Sequence, residues 1–449
     1  MRKTITKTLS LLCMLCIIIC SAFTTAGAAS YPNDVKTESD SILLVNMDSG
    51  QTVYEKDADS KRYPASTTKI MTYIIAVENI ADLDNTKIPI KQSVLDVLKN
   101  TGSSLANVEN HVGKSMTAID LLYSMMVPSG NDAAMVLADY IGEGNVDNFV
   151  KLMNEKAKEL GCENTHFANP DGLHDPDHYT TARDMYKITT YALTLPRFEE
   201  ITNTCTYTCD GDDTALVTTN YLIDANRGGE YYYMYAKGIK TGTTNEAGRC
   251  LVTTASADGY SYMAILLHAP YEEGVTEDYA TMTDAADLFR WALTSLEMNT
   301  VASSKPLCEV KVNLAWGKNS TLLYPETDLS AIVPKDCTDE NIIIEQDVPE
   351  SVDAPLDKGS VVGKATIYYK ADANSEKQKL AEVNVVAGEK IERSGILYVF
   401  NIIGTVFQSY WFIVIIALII LVLIIYLIIS KIHGKRKRKK RNVKHYRNL

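Results

Sequence analysis

Away from its two ends the chain is short of positive charge. Of its 44 Lys and Arg, three fall in the first 29 residues and ten in the last 19, which leaves 31 against 56 Asp and Glu, a formal net charge of −25. So acidic a body excludes a nucleic-acid partner, which would need a basic face to meet phosphate. Any anionic ligand must instead be met by a local cationic site. His111, His166, His174, His178 and His268 fall at no metal-ligand spacing, and Cys205-x-x-x-Cys209 has no neighbouring histidine pair, so no metal or other cofactor is expected. The fragment GIKTG ending at Gly242 lacks the Gly-x-x-x-x-Gly-Lys-Ser/Thr layout of a phosphate loop. Internal repeats are absent, and low complexity is confined to the basic tail.

The ends read as membrane and export signals. Arg2, Lys3 and Lys7 precede an apolar run from Leu9 to Ala22 and the small residues Ala26-Gly27-Ala28, the layout of a secretory signal over residues 1–29. An uncleaved anchor is the alternative; lipid attachment at Cys20 is disfavoured because Ile19 stands where a small side chain is wanted. At the other end, no charged residue occurs between Arg393 and Lys431. Residues 411–430 suffice for a bilayer-spanning helix, which needs about 20 apolar residues. Ten Lys or Arg with no acid follow in 431–449, so the positive-inside rule puts that tail in the cytoplasm and the body outside. Six of the nine Cys lie beyond the signal, an even number that permits disulfides in any of 15 connectivities.

Between the ends, 449 residues exceed what one core usually holds. Ser41 onward reads strand, turn, strand, with the turn at Asp48-Ser49-Gly50. Ile70, Ile74 and Val77, then Leu121, Leu122, Met125 and Met126, then Ala134, Leu137 and Ile141 recur at helical spacing. Two strand-like runs joined at Asp258-Gly259 and a helix in DAADLFRWALTSLE close the region. Strands, a block of helices, then strands and a helix predict an α+β domain with an antiparallel sheet over 30–299. Short β-rich runs separated by Pro, Gly, Asp and Asn predict a small β-sandwich over 300–392, with 393–410 as a linker to the membrane helix. Nothing in the sequence specifies an oligomeric state.

Three short constellations could carry chemistry. Ser66-Thr67-Thr68-Lys69 puts a hydroxyl and an amine on one helical face, where a desolvated lysine can act as base for a serine nucleophile. Ser129-Gly130-Asn131 offers a hydroxyl able to pass a proton and an amide able to hold a peptide carbonyl or orient a lysine. Lys240-Thr241-Gly242-Thr243, expected at the start of a strand, offers a cation, two hydroxyls and a glycine that lets substrate lie close. Each has a bland alternative: a solvated helix turn, a helix N-cap, and an exposed strand end.

In this order, 63 and then 111 residues apart, the three resemble the serine transpeptidase and β-lactamase superfamily. The surrounding text PASTTKIMT, SGNDAA, LGCENTHFANPDGLHDPDHYTTARDM and GIKTGTTNEAGRCLV resembles the low-molecular-mass D-alanyl-D-alanine carboxypeptidases. The resemblance covers Ser41 to about Glu297 and continues more loosely through APLDKGSVVGKATIYY. It implies a transpeptidase-like catalytic domain, peptidoglycan stem peptides as substrate and β-lactams as covalent inhibitors. It further implies Ser66 as acylated nucleophile, Lys69 as base, Ser129 as proton relay and Asn131 as holder of the substrate amide. Lys240 and Thr241 would bind the terminal carboxylate, and the backbone N–H groups of Ser66 and Thr243 would form the oxyanion hole. One departure stands out: many relatives carry an Arg shortly after the strand that follows Lys-Thr-Gly, and 268–288 contains none. Endopeptidase, transpeptidase or β-lactamase action, and a catalytically silent wall-binding scaffold, remain open readings, although the Glu-x-x-Leu-Asn run of the commonest β-lactamases is missing after Asn131.

Overall fold

The structure, a computed structural model, describes residues 31–445 except 32, 273–278, 303–304, 373–374 and 376. The export signal read over 1–29 lies outside the described residues. The chain divides into two compact units. One gathers the chain up to Val301 with Leu329–Glu345 and Thr366–Glu382; the other holds Ala302–Asp328, Gln346–Ala365 and the chain from Val383.

In the first unit, the expected hairpin forms from Ser41–Asn46 and Thr52–Lys56, and the later pair from Gly248–Ala257 and Tyr260–Ala269. With Ala236–Thr244 they make a five-stranded antiparallel sheet, Thr52–Lys56 and Ala236–Thr244 at its edges. All six residues of Ser41–Asn46 are buried. A strand paired on both edges and buried along its whole length has no solvent side, which is why SILLVN lacks the alternation of a half-exposed strand. Helix Ala280–Ser295 packs on Gly248–Ala257 and Tyr260–Ala269, and helix Ala182–Ala192 on Ser41–Asn46 and Tyr260–Ala269.

A helical block stands beside the sheet. Its middle is helix Lys69–Asn79, whose residues from Lys69 to Ala76 are all buried, as expected of a helix apolar around most of its circumference. Helices Asn131–Ile141, Val146–Glu159, Ala182–Ala192 and Ala118–Met126 surround it. Thr117 and Thr181 cap their helices by accepting the backbone N–H of Asp120 and Asp184, so those starts are written locally.

In the later β-rich stretch, Cys308–Asn313 pairs antiparallel with Ser320–Pro325 and parallel with Ser351–Asp353. Val310 and Val312 are buried between exposed neighbours, the period-two signature of a strand with one covered face. The linker residues are helical over Gly395–Gln408, and a second helix runs Tyr410–His445. Within it, Tyr410–Lys435 is long and apolar enough to cross a membrane. The six described cysteines are all unpaired thiols.

Candidate active site

Ser66 lies in a single 3-10 turn, Ala65–Thr68, that leads into helix Lys69–Asn79. Two glycines set that turn's position. A Cβ on Gly172, at φ +87°, would fall 1.9 Å from the Ala65 carbonyl oxygen. One on Gly242 would fall 2.9 Å from Ser66 N and 3.0 Å from Pro64 O. Gly242 therefore leaves room for the Ser66 turn itself, a closer demand than the space for substrate read from sequence. The strand Ala236–Thr244 packs directly on this turn, and Lys240 sits in its middle, not at its start.

Lys69 is fully buried and its Nζ donates three hydrogen bonds: to Ser66 Oγ at 2.9 Å, Asn131 Oδ1 at 2.6 Å and the Asp171 carbonyl at 2.7 Å. Burial pulls its pKa down to about 8, outweighing the Asp171 and Asp132 carboxylates that favour the ammonium. Burial also raises the Asp171 carboxyl, only partly offset by Lys69, so both partners are pushed toward their neutral forms. Asn131 is not a helix cap here: Gly130 takes the cap position, no side chain caps the helix, and the Asn131 amide oxygen serves Lys69.

Ser129 holds φ +69°, a left-handed conformation uncommon for a residue with a side chain and of a kind that clusters at functional sites. Its neighbours over-determine it. Gly130 N–H donates to Ser124 O, Asn131 N–H to Ser104 O, and the buried Asp132 carboxylate accepts from the N–H groups of Ala106, Val108 and Ala133. A Cβ on Gly130 would lie 2.6 Å from Ala106 Cβ, so this packing also requires glycine.

Ser66, Ser104, Ser129, Thr241, Gly242 and Thr243 line one cavity of about 360 Å3. Lys240, 1% exposed, donates from Nζ to its neighbour's carbonyl, Thr241 O, at 2.9 Å. Burial, then the nearby Lys69, press its pKa well below the ordinary lysine value. The Thr241 hydroxyl hydrogen-bonds Thr219 Oγ1. Sequence reasoning passed over four participants: Asp171, Asp132, Thr219 and Arg249. A register count across the Thr244–Gly248 turn, which puts position 249 opposite 243, could have found the last. Nothing local marks the other three.

Sequence comparison matches residues 25–271 to the family described as D-alanyl-D-alanine carboxypeptidase, and 301–393 to the penicillin-binding protein 5 C-terminal domain. The chain is similar to the D-alanyl-D-alanine carboxypeptidase DacF of Bacillus subtilis, 30% identical over 369 residues, 81% of this chain and 89% of the relative. Among solved structures it resembles the D-alanyl-D-alanine carboxypeptidase DacD from Francisella tularensis, with TM-score 0.64 and 26% identity over 83% of this chain and 98% of that one. Penicillin binding protein 5 from Haemophilus influenzae follows, with TM-score 0.61 and 25% identity over 81% of this chain and 100% of that one. With the first family covering more than half of its length, this chain belongs to the D-alanyl-D-alanine carboxypeptidases, serine hydrolases of the penicillin-binding class.

Proposed function

We propose that the chain removes the terminal D-alanine from peptidoglycan stem pentapeptides through an acyl-enzyme on Ser66. The carrying observation is the buried Lys69 amine 2.9 Å from Ser66 Oγ, with Asn131 Oδ1 and the Asp171 carbonyl fixing its direction. Neutral Lys69 takes the Ser66 proton as Oγ attacks the penultimate D-alanyl carbonyl. The oxyanion forms between the N–H groups of Ser66, at a helix start where N–H groups point outward, and Thr243. Ser129 relays the proton taken up by Lys69 to the departing amine, so both return to their starting forms, while Asn131 holds the substrate amide. Water then attacks the ester, returning the tetrapeptide and free Ser66. Lys240, Thr241 and Gly242 form the wall against which the substrate's terminal residue lies.

A β-lactam enters the same cycle and stalls as the ester. Mass measurement of penicillin-treated protein should show one adduct, lost in Ser66→Ala, and a pentapeptide should release D-alanine. Rapid turnover of penicillin, or adduct formation by the Ala variant, would refute this reading.

We further infer that 30–299 form the catalytic domain and 300–392 a β-rich domain. Tyr410–Lys435 anchors both outside the membrane, and the basic tail lies in the cytoplasm. Protease added outside intact cells should spare an epitope on that tail and digest the catalytic domain.

A further inference from the structure

A substrate ending in a free carboxylate brings negative charge to a chain whose residues 30–430 carry a formal net −25, so a local cation must offset that field. Lys240 is a weak candidate as a standing charge: it is buried, its ammonium is disfavoured, and its Nζ is turned onto a backbone carbonyl. Two guanidinium groups line the cavity with Ser66, those of Arg227 and Arg249. Guanidinium groups stay cationic in proteins.

The two differ in placement. The Arg227 side chain is 43% exposed, donates to Thr218 O at 3.1 Å and lies 3.7 Å from the Asp224 carboxylate, so water and an acid already answer its charge. Arg249 is 7% exposed and pairs across the sheet with Thr243. Directly opposed residues share a sheet face with Cβ atoms about 5 Å apart, so Arg249 rises beside Thr243 and on the face of Thr241. Its guanidinium lies 4.2 Å from the Tyr279 ring centre and 5.2 Å from that of Tyr271. Tyr279 is in turn braced edge-on by Tyr221 and Tyr231. A planar cation stacked on aromatic faces loses little freedom when a carboxylate binds it in bidentate fashion.

We propose that Arg249 reads the substrate's free C-terminal carboxylate and is the residue that makes this enzyme prefer terminal over internal D-alanyl bonds. The inference rests on the carboxypeptidase reading above. It places the anchor on the strand next to Lys-Thr-Gly, five residues beyond Thr244, not in 268–288.

The full-length protein in detergent is assayed on Nα,Nε-diacetyl-L-lysyl-D-alanyl-D-alanine and on the same peptide with its C-terminus amidated. The wild type is expected to favour the acid. Arg249→Gln, and Arg249→Met, which keeps an apolar stem against Tyr279, should each lower kcat/KM on the acid by roughly ten- to a hundredfold, the worth of one charge-assisted hydrogen bond. The loss should fall chiefly on KM, and the amide should change little. Arg249→Lys should recover part of the preference, and Arg227→Gln should shift it less than about threefold, as for an exposed ion pair. Melting temperature and circular dichroism confirm that each variant folds. Equal losses on acid and amide, an unchanged preference in both neutral variants, or a collapse in Arg227→Gln alone would overturn the assignment. A wild type that cleaves acid and amide equally would overturn it too, whereas one that releases D-alanine from neither refutes the carboxypeptidase reading itself.

Discussion

Protonating Lys69 is expected to stop acylation while leaving every heavy atom in place. Desolvation brings this amine to about 8, so its neutral fraction is about one half at pH 8, a tenth at pH 7 and a hundredth at pH 6. The second-order rate of acylation by a fluorescent penicillin, measured by stopped flow, should therefore climb tenfold per pH unit up to about pH 7.5 and level off near pH 9. An ordinary solvated lysine would carry that climb past pH 10. A profile flat from pH 6 to 9 would remove Lys69 from the role of base, and one still rising at pH 10 would refute the desolvation argument. Stability gives an independent reading of the same shift. A lysine whose pKa is depressed on folding disfavours the folded state fully below pH 8, and the penalty fades as pH rises from about 8 toward the 10.5 of an unfolded chain. The stability of Lys69→Met relative to wild type should thus fall by about 3 kcal/mol between pH 7 and pH 10.5, from about 2.5 pH units at 1.36 kcal/mol each. Denaturant melts at the two pH values measure it.

Three other substitutions probe the surroundings. Asp171→Asn keeps the carbonyl that accepts from Lys69 but removes a carboxylate that favours the ammonium, so the acid limb of the acylation profile should move to lower pH; movement to higher pH would contradict the charge assignment. Gly242→Ala puts a Cβ 2.9 Å from Ser66 N, and displacement of this proposed oxyanion donor by a few tenths of an ångström or more should cut acylation by about a hundredfold with melting temperature nearly unchanged. Asp132→Ala strips the acceptor from the N–H groups of Ala106, Val108 and Ala133 and should cost about 1–3 kcal/mol per group left without water. A thermal melt within one degree of wild type would show that the loop does not depend on it.

The residues proposed to carry chemistry were more legible than the reasons for their placement. Ser66, Lys69, Ser129 and Asn131 could be named because the three constellations are short and ordered, and helix Asn131–Ile141 contains the apolar period Ala134, Leu137 and Ile141. Gly242 was named too, but its closest demand is the Ser66 turn that packs against it, a contact between segments about 175 residues apart that no local pattern encodes. Lys240 looked like an open cation; its burial comes from helices and strands packed from other parts of the chain. Asp171 and Asp132 were overlooked because an acid in a turn and an acid in a first helical turn are ordinary surface choices, and here both are buried. The helix Gly395–Gln408 was read as linker, since an apolar stretch next to a membrane span has no period that separates the two.

By itself the sequence determined whatever depends on near neighbours or on composition: the capped helices, the hairpins at Asp48-Ser49-Gly50 and Asp258-Gly259, the apolar span, and the order of the three constellations. Only the tertiary structure decided which charges survive burial. Desolvation depends on every atom packed around a group, so it took the folded chain to lower Lys69 toward neutrality, press Lys240 the same way and stack Arg249 beside Thr243 in the cavity that Ser66 faces.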